Sequence, residues 1–132
     1  MTVLCYKDLY AWQKSMLLVK EVYQLTKKLP KEETYGLISQ MRRAAVSIPS
    51  NIAEGHERNH TKEYINFLSI ARGSKAELET QVLLCRDLEY INDADIRLTL
   101  NLSDETGRLI SSYINKLKIN LTPDPSPLIP DV

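Results

Sequence analysis

The chain has 132 residues, 43% of them hydrophobic, which suits one domain around one core and leaves little room for a second. Seventeen basic residues balance seventeen acidic ones, so no global field draws in a polyanion or an anionic membrane. No run nears the roughly 18 apolar residues of a membrane span, and the opening Met1-Thr2-Val3-Leu4-Cys5-Tyr6-Lys7-Asp8 has no apolar signal segment, so Cys5 and Cys85 read as reduced thiols of a cytoplasmic protein.

Four Gly- and Pro-poor segments with helical periodicity follow one another across short polar breaks, and alternating strand patterns are absent. The first begins after Asp8, an expected N-cap, and places Leu9, Trp12, Met16, Val19 and Tyr23 at three- and four-residue steps, ending near Leu29-Pro30. A second starts at Glu32-Glu33, acids suited to a helix N-terminus, and repeats Leu37, Met41, Ala44, Ile48 and Ile52 up to a terminating Gly55. Pro49 inside it removes one hydrogen bond to the Ala45 carbonyl, so a bend is expected there, with Ser47, Ser50 or Asn51 satisfying the freed group. The third runs from about Asn59 or Thr61 to Tyr90 with Tyr64, Phe67, Ala71, Ser74, Leu78, Val82 and Cys85 on one face. Asn92-Asp93 then caps a fourth, which turns Ile96, Leu100, Ser103, Gly107, Ile110, Ile114 and Leu117 inward. Short links between long helices imply an all-α, antiparallel up-down-up-down four-helix bundle over residues 1–121. Residues 122–132 hold four of the six prolines and read as a disordered or extended Pro-rich tail.

Catalytic signatures are scarce. His56-Glu57-Arg58-Asn59-His60 matches the zinc-protease string H-E-x-x-H, but it begins directly after Gly55 and contains Asn59, so it falls in a helix break that cannot align two imidazoles. Glu79, which sits where some such enzymes place a third ligand, would lie about 28 Å along the third helix from His60. There is no P-loop, G-x-G-x-x-G, G-x-S-x-G or paired-cysteine spacing, and Cys85 falls on an apolar face, so no enzyme activity, cofactor or metal is expected.

Two polar features remain. Gln40, Arg43, Ser47, Asn51 and Glu54 form a stripe on the second helix away from its apolar face. Its short members, like the run Ala71-Arg72-Gly73-Ser74, suit either a ligand-facing edge or close packing between helices or subunits. Residues 27–75 carry nine basic and five acidic side chains, a net of +4, whereas residues 76–132 carry five and ten, a net of −5. The basic set Arg42, Arg43, Arg58, Lys62, Arg72 and Lys75 could position phosphates or pair with the acidic half of a neighbouring subunit.

Several strings appear in order: Tyr6-Lys7-Asp8-Leu9 with Trp12-Gln13; Leu29-Pro30 with Glu33-Thr34-Tyr35-Gly36-Leu37; Gln40-Met41-Arg42-Arg43-Ala44-Ala45 with Ser47-Ile48-Pro49-Ser50-Asn51-Ile52-Ala53-Glu54-Gly55; and Phe67-Leu68-Ser69-Ile70-Ala71-Arg72-Gly73-Ser74 with Glu77-Leu78-Glu79. Over residues 6–118 the chain resembles the four-helix-bundle proteins encoded within intervening sequences of bacterial 23S ribosomal RNA genes. The resemblance implies a ring-shaped homo-oligomer, commonly a homopentamer. It also implies kinship with the accessory variability proteins of diversity-generating retroelements, which partner a reverse transcriptase and bind nucleic acid through basic surfaces. It carries over no catalytic residue. The expectation is therefore a non-enzymatic homo-oligomer that binds RNA or DNA as an adaptor for a ribonucleoprotein or reverse transcriptase, the alternative being a protein-interaction scaffold with no nucleic-acid ligand.

Overall fold

The computed structural model describes residues 5–121, and the Pro-rich tail lies outside them. Among the described residues there are four long helices and no strand, as the periodicity predicts: α1 (Tyr10–Thr26), α2 (Ser39–His56), α3 (Thr61–Asp87) and α4 (Asp93–Leu121). No helix among these residues is long and apolar enough to cross a membrane.

Cross-helix partners fix the direction of each neighbour. Along the α1–α4 seam Lys14 meets Glu105 and Lys28 meets Asp95. Along the α2–α3 seam Met41 meets Cys85 and Ser47 meets Ser74. Between α3 and α4, Arg72 reaches Ser111 and Glu79 reaches Ser103. In each pair the numbers rise on one helix as they fall on the other, so these neighbours run antiparallel. Their shared centre is a single cluster in which Leu18, Val22, Met41, Ile48, Ile52, Leu78, Val82, Ile110 and Ile114 are almost wholly buried.

The stripe expected on α1 is rotated by about one residue. Ala11, Ser15, Leu18, Val22 and Leu25 face the core, whereas Met16 is 41% and Tyr23 38% exposed and Trp12 is half-buried. Both stripes are apolar at the same spacing, so periodicity cannot choose between them. The aromatic stripe has another use at the α1–α2 rim. Trp12 packs edge-on against Tyr6 at 5.5 Å, and Tyr23 lies beneath the Arg42 guanidinium at 4.4 Å. Asp8 does not cap α1: it sits in a short 3₁₀ turn, and Leu9, buried like a core residue, precedes the helix.

The turn into α2 centres on Glu33. Gly36 leaves the helical region at φ −108° and ψ −112°, and a Cβ there would stand 2.6 Å from the Glu33 carboxylate. The bare glycine lets that carboxylate fold back to accept from the Leu37 N–H at 3.1 Å, while its other oxygen accepts from the Tyr90 hydroxyl at 2.9 Å. α2 then passes through Pro49 to His56. The Asn51 amide donates to the Ser47 carbonyl and hydroxyl, not to the Ala45 carbonyl anticipated above. Gly55 does not end α2 in a left-handed turn. It lies within the helix, where a Cβ would come 2.7 Å from the Phe67 Cβ and 3.0 Å from the Tyr64 ring. Its function is close approach of α2 and α3.

α3 closes at Asp87, short of Tyr90, in a Schellman arrangement: Tyr90 N–H reaches the Cys85 carbonyl, Glu89 N–H reaches Arg86, and Glu89 takes φ 65°. α4 starts where expected. The Asn92 side chain accepts from the Asp95 N–H at 2.9 Å and the Asp95 carboxylate accepts from the Asn92 N–H at 3.0 Å, a reciprocal cap.

Candidate nucleic-acid interface

The six cations proposed from the sequence do not form one surface. Arg42 points toward α1, its Nε donating to Thr26 Oγ1 at 2.9 Å while its guanidinium covers Tyr23. Arg43, one residue on, is turned by about 100° and exposed. Arg58 follows the end of α2, stacked over the Phe67 ring at 5.0 Å and 3.6 Å from Glu54. Lys62 is exposed in the first turn of α3. On the opposite flank of α3, Arg72 donates to Ser111 at 3.4 Å, and Lys75 lies across Gly107 to reach Glu79 at 2.8 Å.

Arg72 and Lys75 are brought together with a residue that sequence reasoning missed. Arg108 of α4 joins them around a depression of about 220 Å³ that includes Gly107 and Ser111. Arg108 is ion-paired to Asp104, and Lys75 to Glu79, so three cations there face two acids. Only the α3–α4 register brings Arg108 to this flank, and spacing along one helix contains no signal for it. The arrangement can hold phosphate oxygens by charge and by the Ser111 hydroxyl, and has no means of distinguishing bases.

The polar stripe of α2 divides into two parts. Its middle faces α3: Ser47 and Ser74 share a hydroxyl hydrogen bond at 2.8 Å, with Asn51 bonded to Ser47. Gln40 approaches the buried Gln81 amide at 3.5 Å. Arg43 and Glu54 stay exposed. Small side chains at 47 and 74 therefore serve helix packing, whereas a Cβ on Gly73 would meet nothing within 4 Å and the small run turns outward there.

Interleaving of charge has a topological cause. The α1–α4 seam lays acids of the second half of the chain beside bases of the first, so Lys28 pairs with Asp95 and Lys14 with Glu105. Lys28, of the +4 stretch 27–75, is thereby neutralised by Asp95, of the −5 stretch 76–132.

The histidine string straddles the α2–α3 turn: His56 ends α2 and His60 immediately precedes α3. His56 packs edge-on against Tyr64 at 5.8 Å. Among the described residues, no three His, Cys, Asp or Glu side chains are grouped as a metal site. Cys85 is buried against Met41, and burial together with the nearby Glu33 charge pushes its thiol up to about 11. It is a core residue with little thiolate character.

No curated protein matches the chain. A solved structure from Bacteroides thetaiotaomicron, described as a protein of unknown function from the S23 ribosomal protein family, is 28% identical with a TM-score of 0.73, covering 79% of this chain and 97% of that one. The family model described as 23S rRNA-intervening sequence protein matches residues 7–112, which span α1, α2, α3 and most of α4, and the chain accordingly belongs to that family.

Proposed function

We propose that this protein is a non-enzymatic, self-assembling helical bundle of the cytoplasm that binds RNA or DNA by electrostatic contacts, serving as an adaptor for a ribonucleoprotein or a reverse transcriptase. The observation that carries this reading is the exposure of Arg43, Arg58, Lys62 and Arg72 on α2, α3 and the turn between them in a member of a family named for 23S rRNA intervening sequences. Phosphate contacts of this kind release counterions, so affinity for single-stranded RNA should fall with salt at a log–log slope of about −0.7 per phosphate engaged. Filter binding of the full chain to mixed-sequence RNA and DNA across a salt series tests it. A linear loss of affinity with rising salt supports the reading, and absent or salt-independent binding overturns it.

A scaffold without nucleic acid is favoured by a different observation: several cations are already engaged within the fold, while Tyr10 is 73% and Leu17 48% exposed on α1. Arg42 is anchored on Tyr23 and Thr26, so reversing its charge disturbs α1–α2 packing. Arg43 and Lys62 are the informative positions for separating the two readings.

A further inference from the structure

A groove of about 580 Å³ runs along the α1–α4 face between Tyr10, Leu17 and Leu109, a volume ordinary for a binding site. Tyr10 is the most open large side chain in it, and Leu17 is half exposed beside it. The groove's charges are engaged with one another. Lys14 reaches Glu105 across the seam, and Arg108 is ion-paired to Asp104. What the lining leaves without a partner is apolar surface, so it suits an apolar occupant and not a phosphate chain.

The groove continues toward the end of α4, because Tyr10 and Leu109 also line a second depression that extends to Ser112 and Lys116. α4 ends at Leu121, and the sequence goes on as Thr122-Pro123-Asp124-Pro125-Ser126-Pro127-Leu128-Ile129-Pro130-Asp131-Val132. Leu109 stands about 18 Å back from Leu121 along the helix axis. A proline-alternating sequence advances about 3.1 Å per residue, which gives Leu128 and Ile129 a reach of about 22 and 25 Å from Leu121. We propose that the chain's own Pro-rich tail turns back into this groove and seats Leu128 and Ile129 against Tyr10 and Leu109. Proline-rich strands dock on aromatic-lined grooves, and their prolines reduce the entropy lost on docking. The tether holds the tail at an effective concentration of about millimolar order, so two apolar side chains suffice to populate the contact. A docked tail covers the apolar face that a scaffold would offer to a partner, and thereby governs access to it. The inference does not depend on nucleic-acid binding.

Nuclear magnetic resonance of the methyl-labelled full chain tests the contact. Nuclear Overhauser effects from the Leu128 and Ile129 methyls to the Tyr10 ring are expected, and should vanish in Tyr10→Ser, whose exposed position spares the core. In the full-length double variant Leu128→Asp with Ile129→Asp, fluorescence of the apolar dye anilinonaphthalene sulfonate should rise about two-fold or more as the groove is uncovered, with helical circular dichroism unchanged. Mixing labelled and unlabelled chains separates a chain's own tail from a neighbour's. Contacts found only between chains, no contact between the tail and Tyr10, or dye binding equal in parent and double variant overturns the proposal.

Discussion

At the scale of single residues, two positions carry more of the architecture than their size suggests. Gly55 admits α3 to a separation that a methyl group would forbid, because the opposing atoms are the Phe67 Cβ and the Tyr64 ring and not a flexible chain end. Gly55→Ala should destabilise the fold by about 1–3 kcal/mol, read as a lowered denaturant midpoint with unchanged m-value. Glu89 is the opposite case, an L-residue held at φ 65° by the cap of α3. Glu89→Gly relieves that conformation and should stabilise by about 1 kcal/mol in the same measurement. Neither position announces its role in the sequence. Gly55 reads there as a helix stop, since a glycine before a polar break is the ordinary terminator, and only the facing helix reveals what its missing side chain is for.

Among the elements, α4 was legible in both its apolar stripe and its start, whereas α2 was legible in its stripe alone: it begins at Ser39 and not at Glu32-Glu33, because the chain turns at Gly36 first. The Asn92–Asp95 cap also makes a statement about pH. Hydrogen bonding from the Asn92 backbone, and then from Lys28, lowers the Asp95 carboxyl below its usual value. A carboxyl lowered by folding adds stability above its unfolded pKa, and that stability is lost as pH falls through the folded value. Comparing melting temperatures of the parent and Asp95→Ala across the carboxylate range should therefore show a gap at neutral pH that narrows on acidification. α1 was misphased for a physical reason: its two adjacent apolar stripes both follow the helical period, and the one richer in aromatics is used at the rim, where Tyr23 supports Arg42. Ile48, by contrast, was placed in the core and is fully buried, so Ile48→Ala should cost about 2–5 kcal/mol by chemical denaturation.

For the whole molecule, the fold class followed from periodicity, and most of the candidate surface did not. A charge count along the chain sets a basic stretch at 27–75 against an acidic one at 76–132, but antiparallel folding pairs Lys28 with Asp95 across that divide. Arg42 turns to α1, Arg72 and Lys75 turn to α4, and Arg43 and Lys62 stay exposed. The exposed basic surface is thus smaller than the charge count along the chain implies, and a test of the proposed nucleic-acid binding can be correspondingly sharp. The most direct measurement is RNA binding and sedimentation of one double variant, Arg43→Glu with Lys62→Glu, beside the parent chain. The account predicts that RNA affinity falls by at least about ten-fold while the assembly keeps its size. Unchanged affinity, or dissociation to monomers that still bind RNA, would contradict it.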